Sequence, residues 1–236
     1  MISVCIATYN GEDYIATQLT SILCQIGEAD EIIISDDGSS DRTLEVVRSF
    51  HDPRIVITQG PATGSAIDNF EHALQCTKGD VIYLSDQDDC WFPDKVERMN
   101  RALANADCVV SDCSVTDQFL KVTQASFFKC NSTRFGRYYN LLIKNGYIGG
   151  CMAFKRCVLD KALPFPNHLP MHDIWIGNVA AFFFRLRFID EPLSYFRRCG
   201  NNVSTSGQKS KYSLCHKLYI RLQTVLTLLA RRYGKD

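Results

Sequence analysis

Residues 81–95 read VIYLSDQDDCWFPDK, an apolar run that ends abruptly in acidic residues. Its first five residues, Val81–Ser85, have the composition of a strand that is buried on both faces of a sheet. Asp86 and Asp88 follow at once and therefore lie where the strand ends. Because ligands of parallel α/β sheets bind outside those strand ends, this stretch predicts both a central strand and the place of a site.

Similar strand-like runs alternate with helix-like segments along the first hundred residues. The other predicted strands there are Ile2–Ala7, Glu31–Ser35 and Arg54–Thr58, and the predicted helices are Asp13–Gln25, Asp41–Phe50 and Ala66–Cys76. Alternation of this kind predicts an α/β fold with a doubly wound, mostly parallel sheet. We expect residues 1–208 to form one catalytic domain and residues 209–236 to form a basic amphipathic helix.

Polar residues also follow three other predicted strands. Thr8, Tyr9 and Asn10 follow the first strand, and Asp36 and Asp37 follow the second. A fifth strand is predicted at Cys108–Ser111, and Asp112 follows it. A carboxylate after the second strand can accept the imide N–H of a uracil or thymine ring, while Thr8 faces the same base. Alternatively, Asp36 and Asp37 only shape a helix cap at a glycine turn.

Asp86 and Asp88 are two residues apart beyond a strand, so both can reach one cation when the chain turns. Mg²⁺ and Mn²⁺ prefer oxygen ligands, and Mg²⁺ in particular often keeps substrate phosphates in its shell. A diphosphate leaving group needs such a cation, because negative charge develops on it as it departs. We therefore predict a divalent metal site at Asp86 and Asp88; the alternative is a pair of solvated turn residues.

The composition is that of an ordinary globular chain, 46% hydrophobic and 22% charged, with a formal net charge of zero. That balance gives no reason to expect nucleic acid as a partner. The 11 cysteines include no CxxC pair and suggest no disulfide framework, which favours a reducing cytosol. The chain opens with a strand, and no apolar stretch approaches the ~20 residues of a membrane span. We therefore expect a cytoplasmic protein without a signal peptide.

The end of the sequence is basic and has helical periodicity from Lys211 to Tyr233. On a helix its apolar residues gather on one side: Leu218, Leu222, Val225, Leu226 and Leu229. The basic residues gather roughly opposite: Lys217, Arg221, Arg231, Arg232 and Lys235. Such a helix can lie on an anionic membrane surface, here the inner face of the cell membrane. The alternative is that its apolar face packs on the catalytic domain and its charges are solvated.

Four motifs in order, IATYNG, IISDDGSSDRT, GDVIYLSDQDDCWFPDK and MHDIW, resemble those of glycosyltransferase family 2. The resemblance covers roughly residues 1–205 and implies the A-type nucleotide-sugar fold of glycosyltransferases. In its DQDDxWxPDK, HD-x-W and YxRRxxxN patterns the chain is most similar to the bacterial rhamnosyltransferase-like branch. This implies an inverting, metal-dependent transferase that moves rhamnose from dTDP-rhamnose to a glycan or lipid-linked acceptor in surface polysaccharide synthesis.

Three other functions stay open. One is a transferase that uses a UDP-hexose, and a second is a phosphohydrolase with Asp86 as a covalent nucleophile. The third is a nucleotide-sugar or glycan-binding subunit without turnover. Residues 112–146 are expected to form an irregular, substrate-facing excursion, and the specificity for sugar and acceptor is expected within residues 112–170.

The resemblance also implies roles for single residues. It places at the nucleotide sugar Thr8, Tyr9, Asn10, Asp36, Asp37, Asn69 and Asp86, and at the metal Asp86 and Asp88. It also implies that Asp173, at the start of a predicted helix in MHDIW, is the general base that takes the proton of the acceptor hydroxyl. An N-cap carboxylate is the alternative for Asp173, and the two roles are compatible.

Six further residues are ambiguous. His172 is either structural or a substrate contact, and Gly149-Gly150 either lets an acceptor approach or bends the chain into a strand. Cys199 stands where relatives often have a histidine that completes the metal shell. Because a thiolate suits magnesium or manganese poorly, a third protein ligand is in doubt. Arg197 and Arg198 either reach the phosphates or are exposed.

Overall fold

The computed structural model describes residues 1–167, 169–198 and 213–234. Over these residues a nine-stranded sheet is formed by β1 (Ile2–Thr8), β2 (Glu31–Asp36), β3 (Ile55–Gln59), β4 (Val81–Asp86), β5 (Cys90–Trp91), β6 (Cys108–Thr116), β7 (Val122–Gln124), β8 (Met152–Lys155) and β9 (Leu186–Arg197). The helices are α1 (Ile15–Leu23), α2 (Thr43–Arg48), α3 (Ala66–Gln75), α4 (Lys95–Leu103), α5 (Phe127–Cys130), α6 (Arg137–Leu142), α7 (Arg156–Ala162), α8 (His172–Phe183) and α9 (Leu214–Tyr233).

The strand order is β3-β2-β1-β4-β8-β6-β9-β5, with β7 beside β6. The first four strands of this order are parallel to one another. β8 runs antiparallel to both of its neighbours, β4 and β6, and β9 is again parallel to β6. The sheet is therefore parallel where the nucleotide-binding edge was predicted and mixed beyond β4.

Each face of the sheet carries its own hydrophobic core, because alternate residues of a strand point to opposite faces. Cys5 of β1 belongs to the cluster that also contains Phe70 of α3 and Trp175 of α8. Its neighbour Val4 belongs to the cluster that contains Leu19 of α1 and Met99 of α4. The predicted α/β class, with helices covering both faces, is confirmed.

The fifth predicted strand is longer than the sequence indicated. Cys108–Ser111 was expected to end at Asp112, but β6 continues to Thr116, and Asp112 lies buried within it. Its carboxylate accepts hydrogen bonds from the Ser126 hydroxyl and from the backbone N–H of Phe128, at 2.9 Å. Through these bonds Asp112 holds α5 in place. The expectation that Asp112 lies at the end of a strand is therefore wrong.

The stretch expected to be irregular, residues 112–146, contains the end of β6, β7, α5 and α6. Its sequence lacked a readable period because α5 and α6 are only four and six residues long. The segment is held by apolar contacts, with Phe128 and Leu141 both in the cluster beneath it.

Helix α9 begins after Ser213, whose hydroxyl caps it by accepting the N–H of His216 at 3.2 Å. Its buried side carries Thr224, Leu228 and Arg231. Arg231 donates from Nη1 to the carbonyl of Leu163 at 2.7 Å. Arg231 therefore fits neither alternative for the basic residues of the tail, a solvated charge or a contact with lipid, because its guanidinium bonds the loop after α7.

The leucine side of α9 faces outward. Leu218, Leu222, Leu226 and Leu229 are 56%, 56%, 50% and 47% exposed, whereas Val225 packs on the core. Packing of the apolar face on the catalytic domain therefore does not account for these four leucines. None of the helices that the structure describes is long and apolar enough to cross a membrane.

Candidate active site

The ends of β2, β1 and β4 lie side by side at one edge of the sheet. Thr8 at the end of β1 pairs with Asp36 of β2, and Ala7 pairs with Asp86 of β4. This register follows from the parallel arrangement, which brings the carboxyl ends of neighbouring strands to one edge. The structure thus brings together the predicted nucleotide residues and the predicted metal residues.

The carboxylate of Asp36 is engaged by its own turn. Thr8 Oγ1 donates to Oδ1 at 3.0 Å, and Ser39 donates from its hydroxyl to Oδ1 at 2.6 Å and from its N–H to Oδ2 at 2.9 Å. Asp37 accepts the N–H of Gly64 at 2.8 Å and so ties the β2 turn to the loop before α3. Both acids therefore shape the walls of this edge.

The loop after β1 is bonded directly to the acidic loop after β4. Tyr9 N donates to Gln87 Oε1 at 3.0 Å, and Gln87 Nε2 donates back to the carbonyl of Tyr9 at 3.1 Å. The Tyr9 side chain is 56% exposed. Asn10 has a left-handed backbone, φ 48°, and its side chain accepts the N–H of Ser40 at 2.8 Å. The Tyr9–Gln87 bonds thus tie the predicted nucleotide residues after β1 to the acidic loop after β4.

Asn69 on α3 reaches the same edge from behind. It is 3% exposed, and its Nδ2 donates to the carbonyl of Thr8 at 3.2 Å. Its Oδ1 is buried without a hydrogen-bond partner. A Cβ on Gly60 would lie only 2.7 Å from that oxygen, so the glycine leaves room for this amide.

The acidic loop that follows β4 is packed closely. A Cβ placed on Gly150 would lie 2.6 Å from Asp89 Oδ2 and 3.1 Å from Asp86 Oδ2, so both carboxylates flank this glycine. Burial is the largest cause that raises the pKa of Asp86, and the negative charges of Asp88 and Asp173 add to it, so that the pKa is about 8. Burial also raises the pKa of Asp88 and of Asp89. The arrangement thus concentrates negative charge that a cation would stabilise.

The donor set fits a hard divalent cation. Its atoms are carboxylate oxygens, which Mg²⁺ and Mn²⁺ prefer, and the buried Oδ2 of Asp89 has no hydrogen-bond partner. Within the described ranges, no group of three histidine, cysteine or acidic residues could hold a metal. Asp86 and Asp88 would hold the predicted cation, and donor phosphates and water would supply its remaining ligands.

Lys95, the first residue of α4, is fully buried beside the acidic loop. Its Nζ donates to the carbonyl of Gly150 at 2.6 Å and lies 4.5 Å from the centroid of the Trp91 ring. Its positive charge opposes the burial that raises the pKa of Asp86 and Asp89. The sequence contained this residue in its WFPDK motif, but nothing in the motif indicated a buried cation.

Arg197, at the end of β9, fixes the acidic loop from the other side. It is 5% exposed, its N–H donates to Asp89 Oδ1 at 3.2 Å, and its Nε donates to the carbonyl of Asp88 at 2.7 Å. A third bond runs from Nη1 to the carbonyl of Gln118 at 2.8 Å. Arg197 is therefore buried, which contradicts the exposed alternative, and it holds the backbone of the acidic loop. Its predicted contact with the phosphates stays a prediction.

Asp173 lies in the first turn of α8, two residues after Met171, which precedes the helix and is its cap position. It is 8% exposed, and its Oδ2 accepts the N–H of Gly149 at 3.1 Å. Burial raises its pKa to about 6. Gly149 bonds Asp173, and the next residue, Gly150, lies against Asp86, so the predicted base is beside the predicted metal site. Because Met171 occupies the cap position, Asp173 is not the N-cap residue of this helix.

The structure also describes four of the remaining ambiguous residues: Gly149, Gly150, His172 and Arg198. Gly149 and Gly150 form a 3₁₀ turn that leads into β8, and both are packed against acidic side chains. His172 is 5% exposed and stacks on Phe70, with ring centroids 3.9 Å apart. Arg198 lies over the ring of Phe196. Cys199 lies outside the described residues.

Comparison with known proteins agrees with this geometry. A family model described as "Glycosyl transferase family 2" matches residues 3–163. The chain is 28% identical over 178 residues to UDP-Glc:alpha-D-GlcNAc-diphosphoundecaprenol beta-1,3-glucosyltransferase of Escherichia coli, covering 72% of this chain and 64% of that protein. It is 37% identical over 115 residues to dTDP-rhamnosyl transferase of Shigella flexneri, covering 45% of this chain and 40% of that protein. The matches thus span less than two thirds of either relative.

Two solved structures share the fold. S. aureus TarS in complex with UDP-GlcNAc superposes with a TM-score of 0.70 at 17% identity, covering 99% of this chain and 72% of that one. A mannosyltransferase from Pyrobaculum calidifontis in complex with GDP-Man and Mn²⁺ gives 0.62 at 18% identity, covering 100% and 75%. Likeness at these identities confirms the architecture that the resemblance implied.

Proposed function

The chain belongs to glycosyl transferase family 2, and we propose that it is an inverting, metal-dependent enzyme that transfers a sugar from a nucleotide diphosphate. The observation that carries this proposal is the convergence of Asp86, Asp89 and Asp173 around the two glycines before β8. The charges of Asp88 and Asp173 both act on Asp86 there. The acceptor is a glycan or a lipid-linked glycan in surface polysaccharide synthesis. This follows the Escherichia coli relative, whose name includes a diphosphoundecaprenol-linked sugar.

Each residue has one task in this reaction. Asp86 and Asp88 would hold the cation, which supplies positive charge to the departing diphosphate. Asp173 takes the proton of the acceptor hydroxyl as that oxygen bonds the anomeric carbon. The bond from that carbon to the diphosphate breaks on the opposite side, so the configuration inverts. Thr8, Asp36 and Asn69 form the wall against which the nucleotide lies.

We propose dTDP-rhamnose as the donor, supported by the DQDDxWxPDK and HD-x-W patterns and by the Shigella flexneri relative. A UDP-hexose is the second candidate, since TarS was crystallised with UDP-GlcNAc. We expect dTDP-rhamnose to raise the melting temperature more than UDP-glucose or UDP-GlcNAc in the presence of Mn²⁺, and to be the sugar transferred. A larger shift with a UDP-hexose, together with transfer from it, would contradict this assignment.

We also propose that the protein lies peripherally on the inner face of an anionic membrane, through α9. Arg232 lies beside Leu229, one of the outward leucines of that helix, and residues 213–234 contain no acidic residue. Arg221 donates to the carbonyl of Ile143, next to the exposed Leu142. Residues 134–147, around that leucine, also contain no acidic residue. Exposed apolar side chains beside unopposed cations match the chemistry of an anionic lipid surface.

The double substitution Leu222→Ser with Leu226→Ser tests this membrane surface. Both side chains are about half exposed, so the fold should be unaffected, while the apolar area available for insertion falls. We expect partitioning onto phosphatidylglycerol vesicles, measured by co-sedimentation, to fall at least about tenfold. Phe119→Ser is the matched control, because Phe119 is 80% exposed in another part of the chain.

Two results would contradict the membrane assignment. Vesicle binding that is equal in the wild type and the double variant would remove it. A wild-type dimer that the double variant converts to a monomer, measured by light scattering, would assign the leucines to a second copy of the chain instead.

A further inference from the structure

His172 is a buried histidine whose ring nitrogens are both without a partner. It is 5% exposed, and neither Nδ1 nor Nε2 makes a hydrogen bond. Buried polar atoms nearly always have partners, because leaving one unpaired is unfavourable by comparison with its hydration in water. A ring held in this state therefore calls for a reason.

The ring is held in place from one side. It stacks on Phe70 of α3, with an angle of 25° between the planes. Phe70 follows Asn69, whose amide bonds the end of β1. His172, the first residue of α8, is thus connected through α3 to the end of β1.

On its other side the ring of His172 faces Asp173, the proposed general base. A Cβ on Gly149 would lie 3.1 Å from His172 Nε2 and 3.5 Å from the Cβ of Asp173. The N–H of the same glycine donates to Asp173 Oδ2. Any side chain at Gly149 would therefore intrude between the imidazole and the base, and glycine keeps that place open.

The imidazole is suited to a neutral partner. Burial lowers the pKa of His172 to about 3, so the ring is uncharged near neutral pH and does not compete with Asp173 for the proton. A neutral imidazole has one nitrogen that donates and one that accepts. Hydroxyl groups also do both, and the molecules expected between the nucleotide edge and Asp173 carry several.

We propose that His172 is a sugar-binding residue that hydrogen-bonds a sugar hydroxyl beside Asp173. This inference rests on the proposed function, because it places a sugar at that point. The hydroxyl belongs either to the donor sugar or to the acceptor, and both supply the same chemistry. Phe70 and Gly149 are the neighbours that fix the ring for this contact.

His172→Phe is the test, because phenylalanine keeps the stack on Phe70 and removes both nitrogens. We expect kcat/KM for sugar transfer to fall between about tenfold and a hundredfold, the usual range for a lost buried hydrogen bond. The melting temperature of the ligand-free protein should stay equal or rise, since two unpaired polar atoms disappear. His172→Gln, which retains a donor and an acceptor, should recover part of the rate.

His72 provides a matched control on the neighbouring helix. Its Nδ1 is 2.8 Å from the hydroxyl of Ser35, so this histidine already has a partner within the protein. His72→Phe should therefore lower the melting temperature and leave kcat/KM nearly unchanged. The two histidines are expected to give opposite results in both measurements.

Binding measurements identify the source of the hydroxyl. If it belongs to the donor, His172→Phe should weaken binding of dTDP-rhamnose or UDP-glucose and leave the affinity for dTDP or UDP unchanged. If it belongs to the acceptor, donor affinity should hold and the KM for the acceptor should rise. A His172→Phe enzyme that matches the wild type in all of these would overturn the inference alone. A wild type that neither binds these nucleotides nor transfers a sugar would overturn the proposed function.

Discussion

Asp88→Asn should abolish metal-dependent sugar transfer while the protein stays folded. The substitution removes one of two charges at the proposed cation, and charge stabilisation of the leaving diphosphate contributes several kcal/mol in metal-assisted reactions. We expect a loss of at least about a thousandfold in kcat with Mn²⁺, measured on purified protein. Asp160→Asn is the control, because Asp160 is an exposed acid on α7.

The same variant carries a stability prediction with a definite sign. Burial raises the pKa of Asp88, so the folded state binds protons more readily than the unfolded state as the pH rises above about 4. Stability attributable to this group is therefore lost with rising pH. Without metal, Asp88→Asn should melt at a higher temperature than the wild type, by a margin that grows from pH 5 to pH 7.

Near-normal turnover by a folded Asp88→Asn enzyme would remove the metal from the proposed reaction. A lower melting temperature in metal-free buffer would instead show that Asp88 is structural. Measuring both quantities on one preparation keeps the two results apart.

Asp173→Asn should reduce transfer by about 10²–10⁴, the usual contribution of a general base, with donor affinity nearly unchanged. Asparagine keeps an oxygen that can accept the N–H of Gly149, so the turn before β8 should persist. Since the base must be deprotonated, and its pKa is raised to about 6, the wild-type rate should fall as the pH drops through about 6. The residual activity of Asp173→Asn should not show this fall in rate at low pH.

A different pattern would show that Asp173 is not the base. If donor binding collapsed while transfer per bound donor stayed constant, Asp173 would be part of the donor site. Isothermal titration with the donor, paired with single-turnover transfer, separates these two cases.

The sequence predicted those parts of the fold that depend on local patterns. β1, β2 and β4 were found because each is a short apolar run, and their parallel pairing brought Thr8, Asp36 and Asp86 to one edge. The resemblance to a known family then gave Asp173 its place near that edge. Local periodicity and strand-end rules were sufficient for this much.

Other parts depend on contacts between distant segments and could not be predicted in this way. β6 pairs with β9 across about eighty residues of sequence, and Arg197 reaches the acidic loop only because of that pairing. Asp112 looked like a site residue because its partner, the start of α5, had no recognisable period. Both cases show that a polar residue near a strand end can be explained only by its distant neighbours.

The buried Lys95 bears on how the enzyme passes from one catalytic cycle to the next. A cation that leaves together with a diphosphate product would expose the acidic loop to its own repulsion at every turnover. Lys95 is covalently part of the chain and stays within reach of Asp86 and Asp89, with its ammonium anchored on Gly150. Those two carboxylates favour the charged form of Lys95 against the burial that lowers its pKa, so the loop has a counter-ion of its own when no other cation is bound.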